Sequence, residues 1–338
     1  MTEYVVIGAG VAGLAVATEL TARGAAVRVL DRAGAPGPHH CSWWAGGMLA
    51  PFCEFENAEE PVLRLGRGAA DWWARHAGGV TTRGTLVVAP GRDRAELRRF
   101  ARRTEGFEEI AAPGIAALEP DLEGRFPAGL FFEDEAHLSP RGALAALVRG
   151  LADKGVEIER TEAPDTLQGP GVIDCRGLGA RDALPDLRGV KGEMLVLHCP
   201  DLNLTRPVRM LHPRIPLYVV PRGDGIYMLG ATMIEAEAAG RFTVRSALEM
   251  LSAAYAIHPG FGEAEILETG VDARPAFPDN LPRIRRAGGR LHANGLHRHG
   301  FLLAPALAAQ VADHLLDGAT PEFMDHPAPK EAPHAHPA

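Results

Sequence analysis

The first thirty residues combine short apolar runs with a glycine-rich turn. Residues 4–7 are apolar and largely β-branched, as is typical of a strand buried in a parallel sheet. Residues 14–23 place their apolar side chains on one side of a helix, and Gly24 is well placed to end it. A second apolar run follows at residues 26–30. The pattern predicts a strand, a turn, a helix and a second strand in succession.

Further elements follow along the chain. Ser139 and Pro140 are a capping residue and a first-turn proline, and they predict the start of a helix. Residues 217–222 and 226–230 are typical of the two arms of a hairpin. The other predicted elements are strands at 156–160, 267–273 and 291–295, a strand with a glycine turn at 171–179, and a helix at 302–316. This mixture indicates an α/β fold.

The turn after the first strand has the spacing of a dinucleotide-binding motif. The first glycine permits a tight turn, the second lets the backbone approach a pyrophosphate, and the third lets the helix pack on the strand. Asp31 ends the second strand, where a carboxylate accepts hydrogen bonds from ribose hydroxyls and repels a 2′-phosphate. The motif leaves FAD and NAD open. The residues predicted to contact the cofactor here are Gly8, Gly10, Val11, Ala12, Gly13, Asp31 and Arg32.

Length, charge and cysteine usage limit the class of protein. A length of 338 residues predicts two domains. The formal net charge of −8 argues against nucleic acid as the main partner. The cysteines, at 41, 53, 175 and 199, match neither a metal-binding nor a disulfide pattern and predict free thiols and no metal. No apolar stretch reaches the ~20 residues of a membrane span and no signal peptide is evident, so we expect a cytoplasmic protein.

Residues 38–51 are apolar and glycine-rich but lack both helical and strand periodicity. Periodicity alone leaves open a loop that packs against the core and a loop that lies against something flat. Residues 42–51, with Glu54 beyond them, resemble the flavin-side loop of glycine oxidases in the D-amino-acid oxidase superfamily. Gly46 to Leu49 is the most distinctive part of the resemblance.

This resemblance implies FAD as the cofactor. Trp44 stands where some related amine dehydrogenases attach the flavin through a histidine, so we expect noncovalent FAD. Met48 matches a residue that lines the small substrate pocket of the family. The cofactor contacts that the resemblance implies in this loop are Ser42, Ala45, Gly46, Gly47 and Met48.

Three further motifs lie between the loop and the C-terminal helix. Gly177 belongs to a turn that in the family meets the ribitol and pyrophosphate side of FAD. Tyr218 and Met233 match residues that face the substrate. The predicted strand at 267–273 ends in Arg274, and family members carry the arginine that binds the substrate carboxylate at this place. A planar guanidinium suits a carboxylate because it donates two parallel hydrogen bonds.

The last motif is the strand, turn and helix from Leu291 onwards. In the family the turn's N–H groups and the helix dipole face the flavin and stabilise its reduced, negative form. Arg298 matches an arginine near the substrate. His297 and His299 depart from the usual residues and leave the substrate preference open. The implied cofactor contacts are Gly295, Arg298, His299, Gly300, Phe301 and Leu302.

The resemblance covers nearly the whole chain and implies a Rossmann-type FAD-binding domain with a discontinuous α+β substrate domain built on an antiparallel sheet. The expected ranges are 1–79, 138–189 and 286–325 for the FAD-binding domain, 80–137 and 190–285 for the substrate domain, and 326–338 for a disordered tail.

The implied reaction is oxidation of glycine, sarcosine or a small D-amino acid by molecular oxygen to a 2-oxo acid, ammonia or amine, and hydrogen peroxide. Arg274 would bind the carboxylate and Tyr218 would orient it. In bacteria such enzymes often serve synthesis of the thiamine thiazole. A dehydrogenase with another electron acceptor, a tRNA-modifying oxidase and a homo-oligomeric assembly stay open.

Overall fold

The structure is a computed structural model that describes residues 3–213, 216–236 and 240–325. The expected disordered tail lies outside the described residues. The helices are α1 (Val11–Ala22), α2 (Pro51–Glu54), α3 (Glu60–Gly66), α4 (Ala69–His76), α5 (Arg94–Ala101), α6 (Ala112–Leu118), α7 (Pro140–Ala152), α8 (Val244–Ile257) and α9 (Gly300–Asp317). The strands are β1 (Glu3–Ile7), β2 (Ala26–Asp31), β3 (Met48–Leu49), β4 (Thr85–Val88), β5 (Glu108–Ala111), β6 (Ala128–Phe132), β7 (Ala136–His137), β8 (Ile158–Arg160), β9 (Val172–Asp174), β10 (Arg188–His198), β11 (Val208–Met210), β12 (Leu217–Gly223), β13 (Ile226–Gly230), β14 (Ile234–Glu235), β15 (Glu265–Ala276), β16 (Arg283–Ala287) and β17 (Arg290–Asn294).

One sheet has the order β16-β17-β9-β1-β2-β8. Its strands run parallel except for β16, which pairs antiparallel with β17. Helix α1 connects β1 to β2, which confirms the predicted unit, and α7 and α9 pack against α1. These elements bury Val6, Leu14 and Leu307 in one core. Because the strands are parallel, the turns after β1, β9 and β17 meet at one edge of the sheet.

The second sheet has the order β14-β10-β13-β12-β11-β4-β6-β5, and β15 pairs along β10. β12 and β13 form the predicted hairpin, in which Tyr218 lies opposite Gly230. β4 and β11 run parallel, so the sheet is mixed and only mainly antiparallel. These two strands come from distant parts of the chain, and no short turn fixes their relative direction.

Apolar side chains cover both faces of the second sheet. Leu86 and Val87 are neighbours on β4 but belong to different clusters, because successive strand residues point to opposite faces. Helix α8 contributes Met250 to one cluster, and α5 contributes Phe100 to the other. Helices therefore support the sheet from both sides.

The two sheets use the segments that the sequence analysis assigned to two domains, with one deviation. β16 crosses the expected boundary at residue 286, so the domain ranges stay a prediction. All four cysteines are free, as predicted. Among the described residues, no helix is both long enough and apolar enough to cross a membrane.

Candidate active site

Glycines shape the turn between β1 and α1. Gly8 has a φ of +103°, and a Cβ there would lie 2.8 Å from the carbonyl oxygen of Cys175. A Cβ on Gly13 would lie only 1.8 Å from the carbonyl oxygen of Gly8. At Gly10 the nearest atom to a Cβ would be Ser42 Oγ, at 3.4 Å. Protein contacts therefore require the first and third glycines, whereas the second leaves the backbone open, as a pyrophosphate cradle needs.

Asp31 is held at the end of β2 by three donors. Its Oδ2 accepts from the N–H of Ala9 at 2.9 Å and from His40 Nε2 at 3.0 Å, and its Oδ1 accepts from the N–H of Ala33 at 2.8 Å. Burial alone would raise the pKa of Asp31, but these hydrogen bonds lower it to about 2. An ionised carboxylate is therefore fixed where the sequence predicts the ribose. Sequence reasoning did not indicate His40, and Arg32 is exposed.

The first turns of α1 and α9 lie close together. A Cβ on Gly300 would lie 3.4 Å from the Val11 side chain, and the Val11 N–H donates to Ser42 Oγ at 3.2 Å. The N-cap residue of neither helix provides a side-chain cap. The turn after β9 is tied to the end of β17, because the Gly177 carbonyl oxygen accepts from Asn294 Nδ2 at 2.9 Å. Two positive helix ends thus share the edge of the sheet and suit a ligand that carries anionic groups.

The loop between β2 and β3 is tied to the second sheet by Arg222. Its Nη2 donates to the carbonyl oxygen of Gly46 at 2.6 Å, and its Nη1 donates to that of Leu138 at 3.0 Å. Gly47 has a φ of +71°, and a Cβ there would lie 2.3 Å from the Leu138 carbonyl oxygen. The Trp44 indole N–H donates to the backbone. These contacts hold the loop in place although it has no regular secondary structure over most of its length. No signal in the sequence pointed to Arg222.

Tyr218 and Arg274 project from β12 and β15 over glycines. A Cβ on Gly46 would lie 2.8 Å from the Tyr218 ring, and a Cβ on Gly192 would lie 2.2 Å from Arg274 Nη2. Arg274 Nη1 donates to the Thr232 carbonyl oxygen at 3.2 Å, and no carboxylate among the described residues pairs with this arginine. Burial lowers the pKa of Arg274 and raises that of Tyr218. The site therefore offers free guanidinium donors and a protonated phenol.

Glu54, the last residue of α2, joins three basic side chains. Its Oε2 lies 2.9 Å from Arg298 Nε and 3.1 Å from His299 Nε2, and its Oε1 lies 3.4 Å from Arg209 Nη1. Burial would raise the pKa of Glu54, but Arg298, His299 and Arg209 hold it far below its usual range. Burial lowers the pKa of His299. Arg209 is a further residue that sequence reasoning missed, and its only signal was its place before the hairpin.

The turn before α9 contains buried nitrogen atoms that lack hydrogen-bond partners in the described part of the chain. They are His297 Nδ1, Arg298 Nη2 and His299 Nδ1. Buried polar atoms are normally paired, so this turn is suited to receive another polar group. Gly295 shapes the turn, since its φ is +83° and a Cβ would lie 2.3 Å from the Phe277 ring.

The two methionines that the sequence placed in the substrate pocket have different surroundings. Met48 is half-buried in β3, opposite His137. Met233 is 58% exposed, and its Sδ lies 3.9 Å from Arg298 Nη1. Met233 therefore adjoins one expected site residue, whereas the pocket role of Met48 stays a prediction. Of the remaining expected residues, Ala12 and Ala45 are half-buried, and Phe301 and Leu302 are buried.

Comparison with known proteins decides the family. A family model described as "FAD dependent oxidoreductase" matches residues 3–314. The chain belongs to this family. It is 56% identical over 316 residues to the putative thiamine biosynthesis oxidoreductase ThiO of Rhizobium etli, with 93% of this chain and 96% of that protein covered.

More distant similarities agree with this assignment. The chain is 25% identical to the glycine oxidase of Bacillus licheniformis, with 93% of each covered. Its fold matches the crystal structure of a glycine oxidase from Bacillus cereus with a TM-score of 0.79 and 21% identity, covering 95% of this chain and 99% of that chain. The predicted family and fold class are confirmed.

As a member of the FAD-dependent oxidoreductase family, the protein uses FAD, and its own residues fit that cofactor. The open backbone at Gly10 suits a pyrophosphate, and ionised Asp31 suits a ribose. The unpaired nitrogens before α9 suit the polar edge of a flavin. The residue-by-residue contacts nevertheless stay predictions.

Proposed function

We propose that this FAD-dependent oxidoreductase oxidises glycine, or a similarly small amine such as sarcosine or a small D-amino acid, with molecular oxygen as the electron acceptor. The observation that carries the proposal is Arg274, a partly buried guanidinium beside Tyr218 with no carboxylate partner among the described residues. The names of two relatives, a thiamine biosynthesis oxidoreductase and a glycine oxidase, support this substrate class.

In this proposal Arg274 binds the substrate carboxylate through charge-assisted hydrogen bonds, and the Tyr218 hydroxyl donates a further one. These contacts fix the orientation of the substrate Cα. Such positioning is the main contribution that the side chains make to catalysis. The positive charge of Arg274 also favours the neutral amine over the ammonium form, because like charges disfavour protonation. Met48 and Met233 would border the substrate.

Bound FAD would supply an acceptor for the hydride and would pass its two electrons to oxygen, which would take up two protons to become hydrogen peroxide. The substrate loses a hydride from Cα and a proton from nitrogen, and the resulting imine is hydrolysed by water to a 2-oxo acid and ammonia or an amine. We propose noncovalent binding of FAD by Gly8, Gly10, Val11, Ala12, Gly13, Asp31, Arg32, Ser42, Ala45, Gly46, Gly47, Met48, Gly177, Gly295, Arg298, His299, Gly300, Phe301 and Leu302.

The pathway proposed for this reaction is synthesis of the thiamine thiazole. The 56% identical relative is named for thiamine biosynthesis, which supports this role. Together with the relative named a glycine oxidase, this relative favours an oxidase of small amines over a dehydrogenase with another acceptor and over a tRNA-modifying oxidase.

The test is anaerobic reduction of the purified flavoprotein by glycine, sarcosine, D-alanine and D-proline, followed by air and a peroxide assay. We expect glycine or sarcosine to bleach the flavin and air to restore it with release of peroxide. Bleaching with slow reoxidation would indicate a dehydrogenase. A flavin that none of the four amines reduces would refute the proposal.

A further inference from the structure

Three arginines near the proposed substrate site differ in how their donors are used. Arg209 contacts two carboxylates, Glu54 at 3.4 Å and Glu56 at 3.2 Å. Among the described residues Arg298 contacts one carboxylate, that of Glu54, which lies 2.9 Å from its Nε. Arg274 pairs with no carboxylate among the described residues. Of these three arginines, Arg274 alone has no carboxylate partner in the described part of the chain, so it is the one with an unbalanced charge to offer an anionic group.

A fourth guanidinium in this region, that of Arg222, contacts the backbone. Both terminal nitrogens of Arg222 donate to backbone carbonyl oxygens, those of Leu138 and Gly46. Its donors are thus used to hold the loop.

Glu54 and Arg298 belong to the same electrostatic environment as Arg274. Burial has the largest influence on the pKa of Arg274, but the charge of Arg298 lowers this pKa and the charge of Glu54 raises it. Arg298 also has a buried Nη2 without a partner in the described chain, while its Nη1 lies 3.9 Å from the exposed Met233. Arg298 thus retains unused donors, and Glu54 is what balances its charge.

We propose that Glu54 determines specificity by limiting the site to amines that carry a single carboxylate. Glu54 neutralises Arg298, so a second carboxylate on the substrate would meet the charge of Glu54 instead of a free guanidinium. A buried carboxylate without a cationic partner is strongly disfavoured. This inference rests on the proposed function, since it takes Arg274 as the anchor for the first carboxylate.

The test uses two unreactive ethers that mimic amines and differ by one carboxylate. Methoxyacetate has the shape of sarcosine, and oxydiacetate has the shape of iminodiacetate. Their dissociation constants for the FAD-loaded protein are measured from changes in flavin absorbance, for the wild type and for Glu54→Gln. Glu56→Gln is the matched control, because Glu56 pairs with Arg209 but not with Arg298.

We expect the wild type to bind methoxyacetate and to discriminate against oxydiacetate. In Glu54→Gln the dissociation constant of oxydiacetate, divided by that of methoxyacetate, should fall by roughly tenfold to hundredfold. This is the effect of one hydrogen bond to a charged group. The shift should disappear in Glu54→Gln/Arg298→Met and be absent in Glu56→Gln. An unchanged ratio in Glu54→Gln, or a shift that persists without Arg298, would overturn the proposal.

A second variant covers loss of FAD, and failure of the proposed function has its own distinct outcome. If Glu54→Gln does not retain FAD, Glu54→Asp shortens the side chain by one methylene and should shift the ratio in the same direction by a smaller factor. The proposed function fails separately, when the wild type binds neither ether and no amine reduces its flavin. If the wild type binds methoxyacetate, and Glu54→Gln and Glu54→Asp have the same ratio of dissociation constants as the wild type, only the proposed role of Glu54 is refuted.

Discussion

The glycine-rich turn between β1 and α1 and the proposed substrate site are built in different ways. The turn lies within the first 31 residues, and hard contacts between glycines and backbone determine it. The proposed substrate site combines Glu54, Tyr218, Arg274 and Arg298, which come from four separated segments and meet through two sheets and a charge network. Local spacing can therefore specify the first region, whereas only the folded chain assembles the second.

The largest effect, on the free energy of unfolding, should come from a side chain that fills the turn between β1 and α1. Gly13→Val places a Cβ where it would lie 1.8 Å from the Gly8 carbonyl oxygen, and neither backbone can move without separating α1 from β1. We expect the free energy of unfolding to fall by roughly 3 kcal/mol or more, with loss of FAD. Urea unfolding and flavin content measure this.

Gly150→Ala is the control for that substitution, because a Cβ there would meet nothing within 4 Å. It should leave stability unchanged or slightly higher, since alanine favours the helix interior. If Gly13→Val retained FAD and wild-type stability, close packing would not be what the third glycine provides.

At the substrate site the expected loss is in activity instead of stability. Arg274→Met removes both the charge and the donors for the substrate carboxylate, so kcat/KM for glycine should fall by about 100-fold to 1000-fold. Stability should hold or rise, because the substitution removes a partly buried charge that lacks an acidic partner among the described residues. Steady-state kinetics and urea unfolding separate the two effects.

Arg149→Met is the matched control for Arg274→Met, since Arg149 is an exposed residue of α7. Its kcat/KM should equal that of the wild type. A similar kcat/KM for the Arg274 and Arg149 variants would show that the carboxylate binds elsewhere.

These cases show what the sequence could and could not predict. The pyrophosphate glycines and Asp31 could be predicted because their roles depend on spacing within one unit. Arg274 was predicted through family resemblance. His40 and Arg222 were missed because their importance depends on a partner distant in the fold or on the path of an irregular loop, and neither leaves a periodic pattern.

A third prediction concerns acid stability at the dinucleotide site. The folded-state pKa of Asp31, about 2, lies below its ordinary value of 3.8. The ionised form is thus favoured by folding, so its contribution is present above about pH 4 and is lost as the pH falls through 2. Asp31→Asn should lower the free energy of unfolding by roughly 2 kcal/mol at pH 7, and the difference from the wild type should shrink below pH 4.

Urea unfolding of the FAD-free protein between pH 3 and 7 measures this difference without interference from the cofactor. Asp153→Asn, at an exposed position, is the control and should show no comparable trend. A difference that stayed constant down to pH 3 would contradict the hydrogen-bonding account of Asp31.

The smallest effect should come from a substitution in the loop between β2 and β3. In Gly46→Ala the Cβ would lie 2.8 Å from the Tyr218 ring, which must shift by a few tenths of an ångström. We expect the KM for glycine to rise by about threefold to tenfold, equivalent to about 1 kcal/mol, with little change in unfolding. Gly68→Ala, where a Cβ would meet nothing within 4 Å, should leave KM unchanged. Equal KM values in the two variants would show that Tyr218 does not orient the substrate.

The central claim is that Arg274 anchors the carboxylate of a small amine for oxidation by FAD. Its most direct test is a single anaerobic turnover with glycine in the wild type and in Arg274→Met, counting products against flavin. We predict one glyoxylate and one ammonia for each flavin reduced in the wild type, one peroxide after air, and reduction of the variant only at about 100-fold higher glycine. Equal reduction of both proteins, or no reduction of the wild type by glycine or sarcosine, would contradict the account.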